Sequence, residues 1–130
     1  MATLIKEICA TAKDQTGLLH KATTAIREVG VNINGFCAFS RDAIGQLHFI
    51  TDNNPRAIDS LQRAGFRVTE DDVVITTLVH RSGSLDVATH RLAEAGVDIR
   101  YSYATVAGSI SLVIFATDNN KQALELLGRD

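Results

Sequence analysis

The segment from Asp14 to Leu19 has the composition of a loop that binds a small charged molecule. It lies between a predicted strand and the start of a predicted helix, where free backbone N–H groups and the positive end of the helix dipole can receive a carboxylate. Gly17 lets a ligand approach the backbone closely. The alternative is an ordinary turn in which Thr16 caps the helix. The candidate ligand-binding residues here are Asp14, Gln15, Thr16, Gly17, Leu18 and Leu19.

Asn32 and Ile33 form a second candidate for ligand binding. We expect Asn32 to open the next strand beside the first loop. Its side-chain amide can both donate and accept hydrogen bonds, so it could contact either end of a small ligand. A polar residue that merely begins a strand explains the position equally well.

Cys37 and His48 could form a reactive pair. A hairpin that turns at Asp42-Ala43 would place them opposite each other on adjacent strands. A neighbouring histidine can favour the reactive thiolate form of a cysteine. However, no third group that would orient the pair is evident from the sequence. We therefore favour a plain cross-strand pair and predict no catalytic residue.

The composition argues against several functional classes. The chain has 130 residues, of which 45% are apolar and 22% charged, so it can form a packed core. A net charge of −2 and 5% aromatic residues do not suit nucleic-acid binding. The cysteines form no CxxC pair and the histidines are scattered, so no metal site and no cofactor are predicted. We expect no membrane segment, because no apolar run approaches about 20 residues, and free thiols favour the cytoplasm.

The sequence repeats itself at an offset of 66 residues. Of the 51 positions from 14 to 64, 18 are identical to the corresponding positions from 80 to 130. Gly17 corresponds to Gly83, for example, and Thr51–Asn54 corresponds to Thr117–Asn120. Shared cap and turn chemistry would not maintain one offset over so many predicted elements. We infer two copies of one structural unit, in domains at 1–70 and 71–130.

Each copy has the predicted order β-α-β-β-α-β, which is the ferredoxin-like arrangement. The periodicities predict first-copy strands at Leu4–Ala12, Val31–Ser40, Gly45–Thr51 and Phe66–Thr69. They predict one helix from Leu18 to Val29 and a second helix that begins at Asn54, which is its predicted cap. They predict second-copy strands at Val73–Val79, Val97–Thr105 and Ser109–Thr117, with helices at Ser84–Ala95 and Asn120–Leu127. The predicted fold class is α+β, with two tandem units whose antiparallel sheets carry helices on one face.

The second copy lacks its last strand. By the 66-residue offset that strand would begin near position 132, and the acidic run Glu70-Asp71-Asp72 is predicted to be a solvated turn between the copies. The sheet of the second copy then has an open edge, unless another element fills it. Open edges favour association, and pairing with a second chain makes a homodimer the expected assembly.

The second copy also changes the candidate site. Basic residues replace Asp14 and Gln15, and Asp98 replaces Asn32. Arg81 could bind a carboxylate through two parallel hydrogen bonds, and Asp98 could receive an ammonium group. The alternative is that this site has decayed while its scaffold remains. The candidate residues are His80, Arg81, Ser82, Gly83, Ser84, Leu85, Asp98 and Ile99.

The motifs resemble those of ACT domains. A strand is followed by D-x-x-G-L-L at Asp14–Leu19 and then by a helix that ends in G-V-N-I at Gly30–Ile33. The resemblance covers essentially the whole chain, twice, less the last strand. It implies a stand-alone tandem ACT protein. ACT domains typically bind small effectors, most often amino acids, and pass the signal to an enzyme or another partner.

The resemblance implies a regulatory protein rather than an enzyme. Its ligand contacts would be Asp14–Leu19 with Asn32 and Ile33. The carboxylate would face the helix start, and the ammonium would face Oδ1 of Asn32, Asp14 or backbone carbonyls. The protein would sense an amino acid and act on a partner enzyme or regulator. The alternative is a regulatory subunit of an amino-acid biosynthetic enzyme, which binds through its sheet without a ligand of its own.

Overall fold

In the part of the chain that the structure describes, ten helices and strands follow one another in an order close to the predicted one. The structure, a computed structural model, describes residues Met1–Gly128. No helix in this range is long and apolar enough to cross a membrane. The elements are β1 (Ala2–Lys13), α1 (Leu18–Glu28), β2 (Ile33–Arg41), β3 (Ile44–Thr51), α2 (Asn54–Arg63), β4 (Arg67–Val79), α3 (Ser84–Glu94), β5 (Ile99–Ala107), β6 (Ile110–Thr117) and α4 (Asn120–Leu127).

The first unit comprises Lys6–Asp71. Its strands lie in the order β2-β3-β1-β4. The central strand β3 is antiparallel to both β1 and β2, and Phe49 lies opposite Ile8 and Phe36. Helices α1 and α2 cover one face of this sheet, because each carries an apolar stripe at helical spacing. The main buried side chains are Ile8, Leu18, Ala22, Ile26, Leu47, Phe49, Leu61 and Phe66.

The second unit comprises Met1–Ile5 together with the chain from Asp72 onward. Its strands lie in the order β5-β6-β4-β1, which repeats the order of the first unit. Phe115 lies opposite Val74 and Ser102, at the place of Phe49 in the first unit. The two copies therefore share one architecture, as the repeat predicts. The main buried side chains are Val74, Ala88, Leu92, Val97, Val113, Phe115, Ala123 and Leu127.

The beginning of β1 lies beside β4 in the second unit, at the place where the repeat predicts the last strand of the second copy. The carbonyl of Met1 accepts hydrogen bonds from the N–H of Thr77 at 3.2 Å and from the hydroxyl of Thr76 at 3.0 Å. Of the two alternatives for this edge, completion by another element is correct.

The division into domains at 1–70 and 71–130 stays a prediction. The two compact units differ from it, because Met1–Ile5 belongs to the second unit. Positions 129 and 130 of that predicted domain lie outside the described residues.

The acidic run Glu70-Asp71-Asp72 lies inside β4, so the prediction of a turn there is wrong. The predicted strands Phe66–Thr69 and Val73–Val79 are joined by it into one strand. Glu70 and Asp71 are exposed, so the strand keeps their carboxylates in water. The acidic composition indicated solvent exposure correctly but said nothing about backbone conformation.

The start of α2 is capped one residue earlier than predicted. The side chain of Asn53 accepts the N–H of Arg56 at 3.2 Å and is the cap. Asn54, the predicted cap, is the first residue of the helix. Its side chain accepts a hydrogen bond from the hydroxyl of Thr51 and donates one to the carbonyl of Lys6 at 3.2 Å. Asn54 therefore ties the helix to the sheet rather than capping it.

Candidate functional site

The first loop begins its helix without a side-chain cap. Gly17 precedes α1 with a φ of 85°, in the left-handed region that favours glycine. No side chain caps this helix, so the alternative in which Thr16 does so is wrong. The loop is held through its backbone, because the N–H of Asp14 donates to the carbonyl of Ala43 at 2.9 Å. The N–H groups at the start of α1 are thus not taken by a capping side chain.

A cavity of about 320 Å³ lies over this loop. Gly45 is part of its floor, and a Cβ at this position would collide with Cδ2 of Leu18. Glycine therefore leaves the space into which Leu18 packs. Five of the six residues predicted for the loop line the cavity, and Thr16 does not. The lining residues are Asp14, Gln15, Gly17, Leu18, Leu19, His20, Ala38, Phe39, Ser40, Gly45 and Leu47.

Asn32 and Ile33 lie at the other end of the sheet from the first loop, so the expectation that Asn32 sits beside the loop is wrong. Because β1 and β2 are both antiparallel to β3, they run parallel, and β2 starts where β1 starts. A nine-residue strand separates its two ends by about 30 Å. The side-chain amide of Asn32 instead donates to Oδ2 of Asp52 at 2.9 Å, and its backbone N–H donates to Oδ1 of Asp52 at 3.0 Å. These two bonds lower the pKa of Asp52.

The second loop keeps the backbone of the first and changes its chemistry. Gly83 precedes α3 with a φ of 89°, again without a side-chain cap. The N–H of His80 donates to the carbonyl of Ser109 at 2.8 Å, which is the counterpart of the bond in the first loop. A cavity of about 360 Å³ lies beside this loop. Of the predicted residues, His80 and Leu85 do not line it, and those that do are Arg81, Ser82, Gly83 and Ser84.

Asp98 and Ile99 lie at the end of the second unit that is remote from Arg81. Asp98 precedes β5, and its N–H donates to Oδ1 of Asp118 at 2.9 Å. Since β4 and β5 are both antiparallel to β6, the start of β5 is far from the end of β4. The expected arrangement, in which Arg81 and Asp98 hold the two ends of one amino acid, is therefore not formed within this unit.

Cys37 and His48 lie directly opposite each other on β2 and β3, as the predicted turn requires. The structure adds a residue that the sequence analysis missed: Oε1 of Glu7 lies 3.0 Å from Nδ1 of His48. Glu7 and His48 are 2% and 6% exposed. Glu7 could have been noticed as a lone carboxylate in an otherwise largely apolar strand, but its partner is 41 residues away.

The electrostatics around His48 do not favour a reactive thiol. Burial disfavours the charged imidazole, but hydrogen bonds with Cys9 and Glu7 outweigh it and raise the pKa of His48 to about 9. Burial and the negative charge of Glu7 raise the pKa of Cys37. A thiol with a raised pKa stays protonated at neutral pH and is a poor nucleophile. The pair is therefore a structural feature of the first unit.

Residues 3–129 match the family model of the ACT domain pair. The chain belongs to this family. It is similar in structure to protein BT0572 from Bacteroides thetaiotaomicron, with a TM-score of 0.90 and 23% identity over 98% of this chain and 88% of that one. It is also similar to the regulatory subunit of aspartate kinase from Thermus thermophilus, with a TM-score of 0.72 and 16% identity over 98% of this chain and 94% of that one. None of the curated protein sequences matches it significantly.

As an ACT domain pair, the protein belongs to a family of regulatory domains rather than catalytic ones. The resemblance seen in the sequence motifs is confirmed, and the chain is a regulatory protein rather than an enzyme. Within Met1–Gly128, no group of three or more His, Cys, Asp and Glu side chains could hold a metal ion.

Proposed function

We propose that this ACT domain pair binds an amino acid at its first loop and regulates a partner protein in response. The observation that carries the proposal is a cavity that combines the uncapped start of α1 with the carboxylate of Asp14. An amino acid presents a carboxylate that suits the helix start and an ammonium group that suits Asp14. This pairing of charges favours a zwitterion over a simple anion.

Each part of an amino acid has a complement in the cavity. The N–H groups at the start of α1, together with the positive end of the helix dipole, would bind the carboxylate. Asp14 and the hydroxyl of Ser40 would accept hydrogen bonds from the ammonium group. Phe39 and Leu47 offer apolar surface to the side chain. Small-molecule sites generally occupy about 300–1,000 Å³, so this cavity suits a ligand of amino-acid size.

Thermal unfolding in the presence of each amino acid tests the proposal. A ligand at about 100 times its dissociation constant stabilises the native state by about 2.7 kcal/mol. Gly17→Asp should abolish this gain, because its carboxylate would repel that of the ligand. Gly83→Asp is a matched control, since Gly83 has nearly the same φ and its substitution leaves the first cavity intact. If no amino acid stabilises the wild type, or if both variants lose the gain equally, the proposal fails.

The outer strands provide surfaces for a partner. Strands β2 and β5 each have a neighbouring strand on one side only within the described residues. An open strand edge can pair with another chain through its backbone. We propose that these edges bind a second copy in a homodimer or bind a catalytic subunit or regulator. Sedimentation and co-purification of the wild type and of the Gly17→Asp variant would separate amino-acid binding from association with a partner. Association that does not change when amino acids are added would favour an interaction subunit without its own ligand.

We also propose that the protein resides in the cytoplasm. Cys9 and Cys37 are both free thiols, and a reducing compartment preserves such thiols. Alkylation of the thiols in intact cells, read by mass spectrometry, would test this; thiols found oxidised would contradict it.

A further inference from the structure

The cavity over the first loop has an apolar inner wall and a polar mouth. Three of the residues that line it are buried, and none of them has a polar side chain: Leu18, Gly45 and Leu47. The lining residues with polar side chains are all exposed: Asp14, Gln15, His20 and Ser40. A ligand in this cavity would therefore have its polar groups at the mouth and its apolar part against the inner wall.

The inner wall offers few hydrogen-bonding groups through its backbone. Gly45 and Leu47 lie on the central strand β3, which is paired on both sides; Gly45, for example, lies opposite Ala12 on β1 and Ser40 on β2. A central strand uses its N–H and C=O groups in these two ladders. A polar ligand group at this wall would give up its hydrogen bonds to water without finding new partners, which costs free energy. No Lys or Arg is among the described residues that line the cavity, so an acidic ligand side chain would not find one there.

Leu18 stands directly on Gly45 and forms the floor of the inner wall. A Cβ at Gly45 would collide with Cδ2 of Leu18. Gly45 is not among the glycines with a positive φ, so its role is to leave space for Leu18 rather than to allow an unusual backbone. By the 66-residue offset, the counterparts in the second unit are the polar residues Ser84 and Ser111. The apolar floor is thus a feature of the first unit.

We propose that the first cavity selects amino acids with an aliphatic side chain, and that Leu18, positioned by Gly45, determines this selectivity. The inference rests on the proposed binding of an amino acid at the first loop and names the class of ligand. The aliphatic side chain would lie against Leu18 and Leu47, while the carboxylate and the ammonium group stay at the polar mouth. A hydroxyl, amide or charged side chain would be desolvated at the inner wall without a partner.

Calorimetric titration of the full chain with single amino acids tests the selectivity. Valine and threonine have nearly the same shape, as do leucine and asparagine, and the members of each pair differ in their polar atoms. We expect valine to bind at least about tenfold more tightly than threonine, and leucine at least about tenfold more tightly than asparagine. Glycine, which has no side chain to contact the inner wall, should bind more weakly than valine by a similar factor.

Leu18→Ala tests the floor by making it deeper. The affinity for phenylalanine relative to that for valine should rise at least about tenfold, because a larger side chain can then enter. Leu61→Ala is the matched control: Leu61 is fully buried in the same core but does not line the cavity, so its loss should leave the ratio unchanged.

Gly45→Ala tests the same floor in the opposite direction. The added methyl group would push Cδ2 of Leu18 into the cavity, because the other sides of Leu18 are packed in the core. The affinity for leucine should fall at least about tenfold, whereas that for glycine should not change. Ser111→Ala, at the counterpart position in the second unit, should leave both affinities unchanged. This variant pair also tests the role of Leu18 if Leu18→Ala does not fold.

The outcomes separate this inference from the proposed function. If no amino acid binds, the proposed function fails and the inference fails with it. If amino acids bind, but threonine binds as tightly as valine and asparagine as tightly as leucine, the selectivity is overturned while the proposed function stands. The role of Leu18 is overturned if Leu18→Ala and Leu61→Ala change the affinities alike, or if Gly45→Ala leaves the affinity for leucine unchanged.

Discussion

The double substitution Glu7→Val with His48→Ile would give the first unit the residues that stand 66 positions later, Val73 and Ile114. These two are buried, at 0% and 4% exposure, as Glu7 and His48 are. Both pairs of positions occupy equivalent places in the strand register. The second unit thus shows that the same backbone accepts apolar side chains where the first unit has a buried ion pair.

The raised pKa of His48 determines how strongly the free energy of unfolding of the wild type depends on pH. The difference between its ordinary value of 6.5 and about 9 corresponds to about 3 kcal/mol. Because the pKa is higher in the folded protein than in the unfolded chain, this stabilisation is complete below about pH 6.5 and is lost as the pH rises through about 9. Between about pH 6 and pH 8.5, the free energy of unfolding of the wild type should therefore fall by about 2 kcal/mol.

The double variant should lose this pH dependence. Replacing a buried ion pair by apolar groups is often neutral or stabilising. The free energy of unfolding of the double variant near pH 6 should therefore be within about 1 kcal/mol of that of the wild type, or higher. The single variant His48→Ile should be less stable by about 3–5 kcal/mol, because it removes the charged partner of the buried Glu7 carboxylate. Glu7→Val should cost less, since an imidazole can release its proton.

Urea unfolding of the wild type and the three variants at several pH values measures these differences directly. Because burial and the charge of Glu7 together raise the pKa of Cys37, all four proteins should also carry Cys37→Ser, which removes the ionisation of this thiol from every curve. A wild-type stability that stays constant between about pH 6 and pH 8.5 would refute the reasoning. So would a double variant whose stability falls as steeply as that of the wild type.

Three further substitutions test individual contacts through the free energy of unfolding. Ala43→Gly should stabilise by about 1 kcal/mol, because Ala43 has a φ of 62° in the turn between β2 and β3, and a loss of stability would contradict this. Asn53→Ala should destabilise by about 1 kcal/mol by removing the cap of α2, whereas Asn53→Asp should stay close to the wild type. Ser60→Ala should cost about 1 kcal/mol, because the buried hydroxyl of Ser60 donates to the carbonyl of Ala25 at 2.7 Å, and an unchanged midpoint would argue against that bond.

The features that could be predicted from the sequence are those set by local chemistry and by the repeat. The apolar spacing that starts at Leu18 predicts the buried stripe of α1, and the 66-residue offset predicts that Phe115 repeats Phe49. The turn at Asp42-Ala43 predicts that Cys37 faces His48, because a hairpin turn fixes the register of its strands. Each of these inferences needs only neighbouring residues or a comparison of the sequence with itself.

The features that could not be predicted depend on contacts between distant segments. The Glu7 carboxylate meets His48 only when β1 and β3 pair, and nothing near either residue signals the other. The wrong prediction for Asn32 has a similar origin. Whether the start of one strand lies beside the start or the end of another depends on the directions of the two strands in the sheet. The site residues of the first loop, by contrast, are contiguous in sequence, so five of the six predicted ones do line one cavity.

The division of β1 between the two units has a consequence for synthesis of the protein. The ribosome has released every residue of the first unit soon after Asp71, so that unit can fold while the rest of the chain is being made. Most of the second unit is made after the first, yet its sheet needs Met1–Ile5, which are made before the first unit. The bond from Thr76 to Met1 closes a loop of 75 residues, a contact that loop entropy makes slow to form. No single cut in the gene can separate this protein into two complete units, because a cut near Asp71 leaves an edge strand of one unit on the other piece.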